Sequence, residues 1–173
     1  KLSILALTSL LVLSSCETTE LDLTSNPNAL SPEQASADLF INSIQVDFAY
    51  FVNSMGGVGS RLTRINQLGG ERLYRDAYSP NSFSGVWQTA YQSMSEDIRV
   101  MNGLAAESGL TYYIGMGQVM QAYTLLTLVD FFGDVPYSEA LLGAENLNPT
   151  LDSGQSVYNA ALALLDSAIN NFG

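Results

Sequence analysis

The segment Thr111–Phe132, "TYYIGMGQVMQAYTLLTLVDFF", constrains this chain more than any other. Val119, Met120, Ala122, Tyr123, Leu125, Leu126, Leu128 and Val129 cover nearly the whole circumference of a 3.6-residue helix. A helix that is apolar all round is enclosed either by other protein elements or by lipid. Gln118, Gln121, Thr124, Thr127 and Asp130 recur at three-residue steps and interrupt the apolar surface. Polar groups at that density are costly in hydrocarbon. The pattern therefore predicts the central helix of a water-exposed bundle, with Leu126 among its buried side chains. Gly133 is placed to end the helix in a left-handed conformation, and Pro136 blocks continuation.

A central helix needs neighbours, and the remaining sequence supplies them. Ser31, Pro32 and Gln34 form a capping-box pattern before Ile41, Ile44, Phe48 and Phe51, which step along one helical face. This helix is expected to end near Asn53, before "SMGGVGS". A second helix is predicted over Ser82–Ala106, with Trp87, Tyr91, Met94, Ile98 and Met101 as its apolar stripe. A fourth carries Val157, Ala161, Leu164, Ala168 and Phe172 on one face, with Asp152 or Ser153 as the candidate cap. No run alternates over strand length. The fold class is all-α, with helices joined as antiparallel hairpins. Gly56–Asn81 is expected to be the least regular stretch, and Arg61, Arg64, Arg72, Arg75, Tyr74 and Tyr78 fall within it.

The N-terminus carries a different signal. Lys1 precedes the uncharged, largely apolar run Leu2–Leu13, which is too short to span a bilayer. Residues 1–15 read as a signal peptide. Leu13-Ser14-Ser15-Cys16 then looks like a lipobox, in which Cys16, the only cysteine, is acylated and becomes the new N-terminus. Acyl chains contribute about 0.8 kcal/mol per buried CH₂, so several of them anchor a protein durably. Residues 16–30, rich in Thr, Asp, Asn and Pro, read as an extended tether. Residues 31–173 are the helical domain.

The composition removes several kinds of chemistry. A formal net charge of −11 argues against nucleic acid, which requires clustered cations. The chain holds no histidine, the usual general base and commonest metal ligand. Gly115-Met116-Gly117 follows no strand and is not a phosphate loop. Glu96 and Asp97 are neighbours on a helix and point apart. Asp130 and Asp134 flank a helix end, where capping is their expected role. No catalytic residue, metal or cofactor is expected. Arg72, Tyr74 and Tyr78 are the candidate ligand-binding residues, since aromatic faces pack on sugar rings and Arg reaches hydroxyls. Trp87 sits on the apolar stripe, so core packing is expected for it. A carboxylate-only glycosidase and a helical scaffold for protein partners are the alternatives that the residues leave open.

Several stretches together resemble the SusD/RagB family of nutrient-binding outer-membrane lipoproteins. They are "LSSC", "LDLTSNPNALSPEQA", "WQTAYQSM", "AYTLLTLVDFFGDVPYSEAL" and "SVYNAALALLDSAI", in family order. The resemblance implies tetratricopeptide-like helix pairs, of which this chain would be the N-terminal part. It implies a non-enzymatic protein anchored through Cys16 to the outer membrane and facing the cell exterior. Its partners would be a glycan or peptide nutrient and a SusC-like TonB-dependent transporter, to which the nutrient is delivered. Much of the ligand surface in such proteins lies further along the chain.

Overall fold

The computed structural model describes residues 35–66 and 79–173. They belong to one compact unit, Ala35–Gly173. Helix α1 spans Ala37–Leu62. A 3-10 turn, Pro80–Phe83, leads into α2, which runs on through Ser84–Trp87, a π-helical stretch Gln88–Ser95, and Glu96–Glu107. Helix α3 spans Thr111–Phe132 and α4 spans Gly154–Phe172. The described residues contain no strand, only an isolated antiparallel bridge between Val135 and Asp152.

Contacts along the helices fix their directions. Gly117 of α3 faces Ile98 and Met101 of α2, while Thr124 faces Met94, so the two run antiparallel. Their connection turns at Gly109, whose φ is +68°. Gln118 pairs with Asn171 and Asp130 with Tyr158, which makes α4 antiparallel to α3. Tyr113 bonds to Asp38, Phe48 packs on Tyr123 and Gly59 faces Phe131, so α1 lies parallel to α3. The result is a set of helical hairpins with α3 in the middle.

Two apolar clusters follow one another along α3. One joins Phe51 and Met55 of α1, Val86 and Ala90 of α2, Ala122, Leu125 and Leu128 of α3, and Val157 and Ala161 of α4. The other joins Ile41 and Ile44 to Met94, Ile98, Met101 and Met120. Helix α3 has the bounds its sequence predicts. Its burial is uneven, however: Leu128 is 1% exposed and Leu125 4%, whereas Leu126 is half-buried and Val119 and Tyr123 are exposed. Thr124, in the expected polar stripe, is buried and donates to the Met120 carbonyl at 2.8 Å. No helix among the described residues is long and apolar enough to cross a membrane.

Two further expectations need correction. Helix α1 does not end near Asn53; it continues through "SMGGVGS" to Leu62. Each interior glycine costs about 1 kcal/mol of helix propensity, but tertiary packing overrides that cost. Met55 is 2% exposed in the core, and at Gly59 a Cβ would stand only 3.2 Å from the Phe131 ring. The helix ends instead at Thr63, whose N–H bonds to the Gly59 carbonyl, followed by Arg64 at φ +63°. Residues 56–62 are therefore regular, not irregular. The proposed cap residues Ser31, Pro32 and Gln34 lie outside the described residues.

The second correction concerns α2. Its buried apolar positions are Val86, Ala90, Met94, Ile98, Met101 and Ala105, so the first three steps are four residues long. Each such step overshoots a 3.6-residue turn by about 40°. The wider π-helical turns absorb that excess. The buried Ser95 hydroxyl donates to the Ala90 carbonyl at 2.6 Å within this stretch. Trp87 and Tyr91, placed on the core stripe by a 3.6-residue reading, end up half-buried at its margin.

Candidate functional site

The loop between α3 and α4 is densely hydrogen-bonded. Gly133 leaves α3 at φ +82°. The Asp134 carboxylate accepts from the Gly154 N–H at 2.9 Å, tying the end of α3 to the start of α4. Val135 is fully buried and exchanges backbone bonds of 3.2 and 3.0 Å with Asp152. The Asp152 carboxylate accepts from the backbone of Tyr137 and Ser138, both at 2.8 Å, and from the Ser138 hydroxyl at 2.7 Å. These bonds, that of the Ser138 hydroxyl foremost, hold the carboxyl below its ordinary range. Glu139 accepts from Thr150 and Asn146, and the Thr150 backbone N–H draws its acidity the same way. Of the two candidate caps, Ser153 is the one that bonds into α4, through Ser156. Gly-Asp-Val-Pro-Tyr-Ser-Glu is thus a clasp whose acids are structural.

Tyr91 connects the clasp to α2. Its hydroxyl donates to the Pro136 carbonyl at 2.6 Å, and burial, with the charge of Asp152, pushes its ionisation well upward. It remains a hydrogen-bond donor. Trp87 stacks on Tyr91 with centroids 5.6 Å apart and planes 12° apart. Trp87 also packs on Phe132 at 4.8 Å, and Phe132 meets Phe83 edge-on at 5.1 Å. Trp87 is therefore not sealed in the core: with Leu62, Pro80, Phe83, Phe131 and Phe132 it lines an apolar cleft of about 350 Å³.

A second, larger depression of about 520 Å³ has Tyr91 in its lining. Tyr91, Gln92, Glu96 and Arg99 of α2 form one wall, and Leu141, Leu142, Gly143 and Glu145 form the other. Arg99 holds Glu96 through two parallel bonds, Nε to Oε2 at 2.9 Å and Nη2 to Oε1 at 2.5 Å. That pair lowers the Glu96 pKa and raises that of Arg99. Leu141 sits at φ +62°, a region that branched, bulky residues rarely occupy. Nothing in residue spacing joins positions 91–99 to 141–145. The Tyr91–Pro136 bond and the clasp bring them together, so sequence reading missed this groove. Cys16, Arg72, Tyr74 and Tyr78 lie outside the described residues.

A family model described as SusD-like, "Starch-binding associating with outer membrane", matches residues 27–173. The chain belongs to the SusD-like family. A crystal structure of a SusD/RagB family protein from Bacteroides thetaiotaomicron superposes on this SusD-like chain with a TM-score of 0.65 at 24% sequence identity. The superposition covers 79% of this chain and 30% of that one, so the chain spans under a third of its structural relative. At that identity the likeness shows the all-α fold. No curated protein matches the sequence.

Proposed function

We propose that this SusD-like protein is a surface-exposed outer-membrane lipoprotein that binds nutrients, oligosaccharides or peptides, and hands them to a SusC-like TonB-dependent transporter. The observation that carries this reading is the family match over residues 27–173, whose description joins starch binding to the outer membrane. Residues 1–15 act as the lipoprotein signal peptide, Cys16 carries the lipid, and residues 16–30 form the tether. Arg72, Tyr74 and Tyr78 contribute to nutrient contact through aromatic faces and charge-assisted hydrogen bonds. The protein acts by binding rather than turnover. Support for this comes from the clasp, where Asp134, Glu139 and Asp152 are engaged with backbone N–H groups.

Cell fractionation tests the anchor. Cys16→Ala is expected to abolish lipidation and outer-membrane retention; unchanged recovery of processed protein in that membrane would refute it. Affinity purification of the intact protein is expected to bring down a TonB-dependent barrel. Replacing Arg72, Tyr74 and Tyr78 together with Ala is expected to weaken nutrient binding modestly while leaving that co-purification intact.

A further inference from the structure

Helix α4 carries more apolar surface than its neighbours cover. Val157, Ala161, Leu164 and Ala168 face the core. One residue further on at each step stand Tyr158, Leu162, Leu165, Ile169 and then Phe172. An offset of one residue turns a helix by about 100°, so these residues form a second apolar face. A helix on the surface of a globular unit ordinarily has one. On this second face Leu162 is 52% exposed and Ile169 68%. Helix α3 has a matching line in Tyr112, Val119, Tyr123 and Asp130, the first of them 60% exposed. The Tyr158 hydroxyl donates to Asp130 at one end, and Phe172 packs on Tyr112 at the other, with ring centroids 5.2 Å apart. The two lines therefore run side by side along the antiparallel pair. Tyr112, Val119, Tyr123, Leu162, Ile169 and Phe172 are all open to solvent. Apolar side chains gathered in this way mark an interaction site, whereas an ordinary surface scatters them singly. We propose that this double face is the docking site for a further helix of the same polypeptide, laid over α3 and α4 with its own apolar stripe against them. The assignment rests on the reading of this chain as the N-terminal part of a longer SusD-like protein.

Length and charge select this occupant. The part matched is 30% of the solved relative, so most of a chain of that length lies beyond it and has to pack somewhere. An ionic partner finds little to hold, because Asp130 is the one charged residue of the two lines and already accepts from Tyr158. A lipid surface fits poorly as well. Neither α3 nor α4 contains a Lys or Arg, the residues with which interfacial helices meet anionic headgroups. A second copy would bring together two chains of formal charge −11, and their repulsion opposes the contact. A helix on the same chain needs only an apolar face. It also avoids the loss of translational freedom that a separate partner bears, since the linkage keeps its local concentration high.

Two neighbouring positions separate the outcomes. Ile169 and Asn170 are both exposed, but they lie about 100° apart on α4, Ile169 on the second apolar face and Asn170 on the polar one with Asn159, Ala163 and Asp166. Ile169→Cys and Asn170→Cys are made singly in the full-length protein, each with Cys16→Ala. The rate at which a maleimide modifies each thiol is followed by mass spectrometry of its peptide and divided by the rate in denaturant. The isolated protein is expected to modify Ile169→Cys roughly tenfold or more slowly than Asn170→Cys, at low and high protein concentration alike. Leu162→Cys, on the same face, is expected to behave as Ile169→Cys does. Equal rates, or a slower Asn170→Cys, overturn the docking. Slowing at Ile169→Cys that needs high protein concentration gives the face to a second copy and overturns it too. Slowing that needs vesicles of anionic phospholipid, or a co-purifying barrel, does the same. Each of these results leaves the family match over residues 27–173 and the nutrient reading standing. A reading frame that stops after Gly173 overturns the docking together with the reading as an N-terminal part.

Discussion

Asp152 lies between two secondary elements and belongs to neither: its carboxylate gathers Tyr137 and Ser138 while its backbone pairs with Val135. Asp152→Asn keeps the shape but removes the charge from these bonds and turns an acceptor into a donor. The substitution is expected to cost about 1 kcal/mol, less than a charge-assisted bond usually contributes, because the group is solvent-accessible. The pH dependence has a definite sign. The folded pKa is lowered by the Ser138 bonds first, so the stabilisation is present above the unfolded value of about 4 and is lost as pH falls through the lower folded value. Glu139, lowered by Thr150, acts in the same direction. Denaturant melts of the wild type are expected to lose stability on acidification below about pH 4, with a smaller loss in Asp152→Asn. Equal slopes in the two proteins would show that the clasp carboxylate is not coupled to folding. Gly117 makes a second residue-scale point. A Cβ there would stand 2.9 Å from Met101 Cε and 3.2 Å from Ile98 Cγ2. Gly117→Leu is expected to force α2 and α3 apart and to cost roughly 1–3 kcal/mol in a chemical melt.

Among the elements, α2 depends on its π-helical stretch. Without the widened turns, Met94, Ile98 and Met101 would rotate away from α1 and α3, which they now meet at 0–1% exposure. The Ser95 hydroxyl bond to Ala90 is buried, so Ser95→Ala leaves that carbonyl without this donor. A loss of about 1–2 kcal/mol is expected, with no change in helix content by far-ultraviolet circular dichroism. A neutral result would mean that the widened turns are held by side-chain packing alone. Helix α1 teaches the complementary lesson. Its glycine-rich end is helical because Met55 and Gly59 pack against the core and Phe131, not because its local sequence favours a helix.

For the whole molecule, stability rests on α3 filling the space between α1, α2 and α4. Leu128 is 1% exposed and belongs to the cluster that joins all four helices, whereas Leu126 is half-buried at its edge. Leu128→Asp is expected to abolish cooperative folding, because an unpaired buried carboxylate costs several kcal/mol. Leu126→Asp is expected to give a folded but weakened protein, since its carboxylate can reach water. Melting curves of the pair check this ranking, and equal damage would mean that α3 is enclosed on that side as well.

The sequence by itself determined the all-α class, the bounds of α3, the glycine stop at 133 and the Val157, Ala161, Leu164 and Ala168 face of α4, and it narrowed the α4 cap to Asp152 or Ser153. All of these follow from local chemistry: periodicity, side-chain hydrogen bonds within one turn, and the conformations open to glycine and closed to proline. The tertiary structure decided the length of α1, the π-helical register of α2 and the half-exposed place of Trp87. It also brought the α2 wall and the loop at 141–145 into one groove through Tyr91 and Pro136, residues 45 positions apart. Helical period records which side chains share a face, but not how far a neighbouring helix follows that face. The energy that settles it comes from burial against residues distant in the chain.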